Sequence, residues 1–228
     1  MVEPLLTIAD ELERRDARAA QALDAVERLQ REVDELRVDA VATSAFLAGL
    51  PAAAAAQAAE ERAAGGALAG AEAALRDADA ELAQLRERGS ESAKLAAARA
   101  AQRARDAAEE AALRLQRAGV ERARLEGEGD ARRAEAEWIE GRAAGVAARL
   151  GLAHDVAPPG PGLEGSLEWA ARARGELLVA RAALSTERDK VVREASELVA
   201  SVLGEPLAAT SVAGVRERLA RALRSGSA

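Results

Sequence analysis

Few residues in this chain have types and spacing that could do chemistry, and they lie apart. His154 is the single histidine and cysteine is absent, which removes thiolate and multi-histidine metal sites. A nucleophilic triad needs a histidine held between a carboxylate and a hydroxyl. His154 borders a proline-rich stretch that offers no such frame, and a solvated loop position is expected for it. The run Glu126-Gly-Glu128-Gly-Asp130 alternates acids as a calcium loop does. Its sixth position is Ala131, where a calcium loop has its turn glycine, and Arg132 follows. The glycines at 160, 162 and 165 alternate with prolines, so the amide donors of a phosphate-binding loop are missing. The remaining carboxylates recur along helical faces, where choosing any two as acid and base is arbitrary. We therefore assign no catalytic, cofactor-binding or metal-binding residue, and expect no small-molecule substrate and no enzyme activity.

Charge narrows the partners. The chain carries a net charge of -7, which opposes the basic surface that nucleic acid requires. One cationic pattern stands out: Arg174, Arg181 and Arg188 recur every seven residues. They are expected to pair with acids such as Glu135 and Glu137, with an anion-binding row as the sharper alternative.

The elements that must hold these residues are helices. Alanine supplies 63 of the 228 residues, while Phe46, Trp138 and Trp169 are the only aromatics. Alanine is the best helix former and buries little area, so close-packed helices are expected and a thick globular core is not. The fold class expected is all-α: an elongated, alanine-rich antiparallel coiled coil or three-helix bundle over 1–152. A Pro/Gly linker over 153–165 and a small helical C-terminal unit over 166–228 follow.

Apolar columns at heptad spacing support this. The first helix, about 3–48, carries Leu5, Leu12, Ala19, Val26, Val33, Ala40 and Leu47, with a second column of Ile8, Arg15, Ala22, Leu29, Leu36, Thr43 and Leu50. Gly49 and Pro51 suggest a break. A second helix, about 51–88, has the seam Leu68, Ala71, Leu75, Ala78, Leu82 and Leu85. Gly89 ends it, and Ser90 with Glu91 starts the next. The third helix, about 91–150, runs Ala101, Ala104, Ala108, Ala111, Leu115 and Ala118. It then weakens through Arg122, Gly129 and Arg132 and resumes with Ala136, Ile139, Ala143, Val146 and Leu150. Residues 60–91 hold eight acids and four bases, and residues 94–124 hold eight bases and four acids. Opposite signs favour pairing of these two stretches. Folded back from Gly89, the third helix draws level with Gly49–Pro51 at Gly127 and Gly129, where a kink is natural. Further helices are expected over about 166–203, ended by Gly204 and Pro206, and about 211–223.

Two surfaces are candidate interaction sites. Residues 40–59 carry no charge and read as the tip of a hairpin, with Phe46, Leu47 and Leu50 available to a partner. Membrane insertion is not expected, because the stretch has few strongly apolar members and Pro51 interrupts it. Ile139, Val146 and Leu150 form a stripe that needs a surface outside the first three helices. Either the helix after the linker, with Leu177 and Leu178 near Ile139, or a second copy of the chain would cover it. Gly141 and Gly145, four apart, would permit close helix approach.

No family motif is matched. In its length and its hairpin-first order the chain resembles the membrane-remodelling phage-shock and ESCRT-III-like proteins. The segment Arg193-Glu-Ala-Ser-Glu-Leu-Val-Ala-Ser-Val-Leu-Gly-Glu-Pro-Leu207 resembles the end of rotary-ATPase stalk and flagellar stator-type subunits. These resemblances imply a membrane-surface protein or a peripheral stalk-like subunit as alternatives, and carry no site residue. The function expected is that of a non-enzymatic scaffold or adaptor binding protein partners, with a homodimer as one option. The N-terminal sequence lacks a basic start and apolar run, so a cytoplasmic protein is expected.

Overall fold

The computed structural model describes residues 2–154, 157–206 and 212–225. Among them are four helices and no strand: α1 (Val2–Arg88), α2 (Glu91–His154), α3 (Gly162–Leu203) and α4 (Val215–Arg224). The fold is all-α, built from long helices packed on one another. Two compact units are present, one of residues Met1–Val41 with Trp138–Ala228, the other of Ala42–Glu137. We call them the bundle unit and the hairpin unit. The Pro/Gly segment, expected to divide the chain, falls inside the bundle unit.

The hairpin unit is an antiparallel pair whose limbs, 42–88 and 91–137, each run about 47 residues, roughly 70 Å at 1.5 Å per residue. Gly89 donates its N–H to the Leu85 carbonyl at 2.7 Å. A Cβ there would lie 2.7 Å from that same oxygen, so glycine is required. Ser90 Oγ then accepts the Ala93 N–H at 3.3 Å, the N-cap expected from the sequence. Burial follows the expected seams: Leu68, Ala71, Leu75, Ala78, Leu82 and Leu85 are half-buried, and Ala101 and Ala118 are buried.

The break expected at Gly49–Pro51 is absent, because α1 continues through Pro51. An interior proline removes one backbone hydrogen bond and costs about 3 kcal/mol. Contacts with α2 on both sides of it hold the helix together. Leu50 packs where Gly129 leaves room, since a Cβ on Gly129 would lie 2.8 Å from Leu50 Cδ2. Gln57 Nε2 donates to the Ala118 carbonyl at 2.8 Å. Gly129 does lie level with this point, as the chain lengths predicted, but opposite a continuous helix.

The bundle unit holds the large buried side chains. One cluster joins Val26, Val33, Leu36 and Ala40 of α1, Ile139, Ala143, Val146 and Leu150 of α2, and Trp169, Ala173 and Leu177 of α3. A second joins Ala9 and Leu12 to Val191, Ala195 and Val199, with Val212, Val215 and Leu219. The chain reverses before α3 through a turn packed backbone on backbone. A Cβ on Gly165 would lie 2.4 Å from the Gly160 carbonyl carbon, and Glu140 accepts the Gly162 N–H at 3.2 Å. Gly204, at φ 75°, caps α3 through its N–H to the Ala200 carbonyl. The start expected for the last helix, Ser211, lies outside the described residues, as does the side chain of His154; the helix begins at Val215.

Candidate functional site

The expected tip residues do not form a tip. Phe46, Leu47 and Leu50 are half-buried within α1, since the turn lies at Gly89–Ser90. Arg132 stands over the Phe46 ring at 5.5 Å. Leu50 instead lines a groove of about 460 Å³ within the hairpin unit, with Ala54, Gln57 and Ala58 on one wall and Arg122, Leu125, Glu126, Asp130 and Arg133 on the other. The groove's charges are already committed: Arg122 pairs with Glu61 at 3.0 Å and Glu126 at 3.3 Å, and Arg133 pairs with Asp130. The acid-glycine run 126–130 is helical, with Glu128 held by Arg124. Among the described residues no group of three or more acids and histidines could hold a metal ion.

The stripe Ile139, Val146 and Leu150 is fully covered, in the same cluster as Leu177. α1 contributes to that cover, because the unbroken helix brings Val33, Leu36 and Ala40 into the cluster. The stripe therefore does have a partner in the first helix, contrary to expectation. Gly141 and Gly145 face open space and support no close helix approach within the chain. Leu178 is 43% exposed, so only Leu177 of that pair is core.

The arginine row is a zipper onto α1. Arg174 meets Asp34, Arg181 meets Glu27 and Arg188 meets Asp16, each at 2.9 Å. The expected partners Glu135 and Glu137 belong to the other unit. Antiparallel α1 and α3 bring residue numbers of roughly constant sum together, and α1 supplies acids within reach at each level, seven residues apart for the first two and eleven for the last. Arg15 reaches Glu187 at 2.6 Å and Glu194 at 2.8 Å. The hydrogen bond to Glu187 leads in raising Arg15 above the ordinary arginine value, and lowers Glu187 below the ordinary glutamate value. Arg149 likewise raises its own pKa and lowers that of Glu32 through their hydrogen bond. Asp16 is buried, a role the heptad columns missed. Its cover comes from Arg188 of α3, which no local pattern around Asp16 announces.

The outer face of α1 in the hairpin unit is the least explained surface. Taking Leu50, Gln57 and Ala64 as one column of the seam, the positions away from α2 include Ala42, Ala45, Gly49, Ala52, Ala56, Ala59, Ala63, Gly66 and Gly70, with the exposed Arg62 as the charged exception on that side. All nine are exposed. A solvated coiled coil carries charge at such places. α1 also contains a window long and apolar enough to cross a membrane by length and composition, with 11% of it buried. In the bundle unit, Trp138 is 55% exposed, with Arg142 over its ring at 5.2 Å. Arg142 is anchored in turn by Glu35 at 2.8 Å.

No family model, curated protein or solved structure matches the chain.

Proposed function

We propose that the protein is a non-enzymatic helical scaffold or adaptor that works through helix surfaces with protein partners. The observation that carries this reading is the outer face of α1 between 42 and 70, where the outward positions are small, uncharged and exposed, Arg62 excepted. Exposed apolar surface of this extent marks an interaction site more often than a solvated face. Small side chains also let a second helix approach closely. Part of the described charge is held in ion pairs between helices, such as Arg174 with Asp34, Arg181 with Glu27 and Arg114 with Glu60.

The test is to replace Ala52, Ala56 and Ala59 with glutamate and compare affinity capture with the native chain by quantitative mass spectrometry. Helix content by circular dichroism should stay unchanged while specific partners, or a dimer seen by light scattering, are lost. An identical capture profile and identical mass would overturn the reading. The charge-free window of α1 also favours a second reading, attachment to a membrane surface. Pro51 does not interrupt the helix, so this window is continuous. Co-sedimentation with vesicles separates the two: a scaffold stays in the supernatant.

A further inference from the structure

The hairpin unit weakens both of its helices at one level. In α1, Pro51 stands inside the helix with Gly49 two residues before it. Proline removes an amide donor and crowds the preceding turn, and glycine adds backbone freedom. In α2, Gly127 and Gly129 occupy the facing turn, which the Leu50–Gly129 contact fixes. Gly129 has a packing reason, because a Cβ there would strike Leu50 at 2.8 Å. Gly49 and Gly127 have none, since a Cβ on either would meet nothing within 4 Å. Packing is also thin here. The groove of about 460 Å³ opens beside Leu50, Ala54 and Leu125. On either side lie firmer ties: Arg132 over Phe46, and Gln57 on the Ala118 carbonyl.

We propose that this level is a hinge, at which the two limbs of the hairpin bend together into the open groove. Coincidence is what matters. Two paired helices bend only where both are weak, because a breaker in one is splinted by the other. Gly65, Gly66 and Gly70 test that point, since α2 carries neither glycine nor proline over the facing stretch 109–116. They should form no hinge. The inference is independent of who the partners are, and holds whether or not the outer face binds one.

The absence of cysteine allows two spin labels to be placed anywhere. Labels on A45C and A67C span the level, 22 residues apart, roughly 33 Å along a straight helix. Labels on A59C and E81C span the same separation across the single-sided glycines. Pulsed dipolar spectroscopy should give a broader distribution, tailing to shorter distance, for the first pair than for the second. Adding Gly49→Ala, Pro51→Ala and Gly127→Ala should narrow the first to match the second. Hydrogen exchange of the amides of residues 52–55 should slow on the order of 100-fold in the same triple variant. Equal widths for the two pairs in the native background overturn the hinge. So does a first-pair width that the triple variant leaves unchanged.

Discussion

The bundle unit and the hairpin unit use the same helices and the same heptad logic, yet they are held together by different means. In the bundle unit Trp169, Ile139, Leu150, Leu177 and Leu219 are fully buried, and side chains of that size contribute roughly 1.5–3 kcal/mol each. In the hairpin unit the buried hydrophobics are Ala64, Ala97, Ala101, Ala118 and Ala136, which bury far less area. The hairpin unit has no such core; its length is held by half-buried seams and by the cross-helix ion pairs Arg105 to Asp79, Arg114 to Glu60 and Arg122 to Glu61, a device it shares with the bundle unit. One pattern therefore produces a stabilising core where large residues fill it, and a slender pairing with exposed flanks where alanine does.

The comparison can be broken most severely at Ile139, which is fully buried. Ile139→Asp removes an aliphatic side chain and buries a charge, and should cost about 5 kcal/mol. Both tryptophans lie in the bundle unit, so the loss should appear in tryptophan fluorescence on denaturant titration. Unchanged melting would mean the stripe is not core. Next in size, Leu177→Ala should cost about 3 kcal/mol. Hydrogen exchange should show faster opening of α3 with little change across 57–118. Concerted loss in both regions would erase the distinction between the two units.

A change in the opposite sense sharpens it. Ala101→Leu overfills the alanine seam, and should cost about 1–3 kcal/mol, read as lost protection in the hairpin limbs with tryptophan emission preserved. An improved melting point would show that the seam has room to spare. The smallest effect is acid sensitivity in the bundle unit. The carboxyls of Glu32 and Glu187 are held below their ordinary values by Arg149 and Arg15. A lowered folded-state pKa gives stability present above the unfolded value and lost as pH falls through the folded one. Stability should therefore decline below about pH 4.3. Arg15→Gln and Arg149→Gln should flatten that decline, and an unaltered pH profile would remove these pairs from the account.

Much of this was legible in the sequence because alanine and leucine columns report which face is covered, whatever covers it. The seams of 68–85 and 101–118, the turn at Gly89–Ser90 and the end of α3 at Gly204 needed local rules alone. Pro51 signals a break on local grounds, while the α2 contacts at Phe46, Leu50 and Gln57 that hold α1 on both sides are long-range and leave no local trace. The partners of Arg174, Arg181 and Arg188 were misplaced for a related reason: heptad spacing names a face, while the neighbour depends on where the chain turns. Asp16 was invisible because an acid is covered only when a tertiary partner such as Arg188 reaches it. The outer alanine face was visible as an absence of charge, but its exposure required the pairing of α1 with α2 to be known.

At the turn before α3 the backbones of Gly160 and Gly165 are in contact. Two chain segments touching without side chains between them leave no slack, so the turn acts as an end stop for α3. From that fixed origin the helix is measured out, and its basic residues fall in step with the acids of α1. A shift of a single helical turn, about 5.4 Å, would put each of them out of phase at once. Enlarging Gly165, whose Cβ would strike the Gly160 backbone at 2.4 Å, should thus be felt some forty residues away, at the far end of α3, as a loss of register.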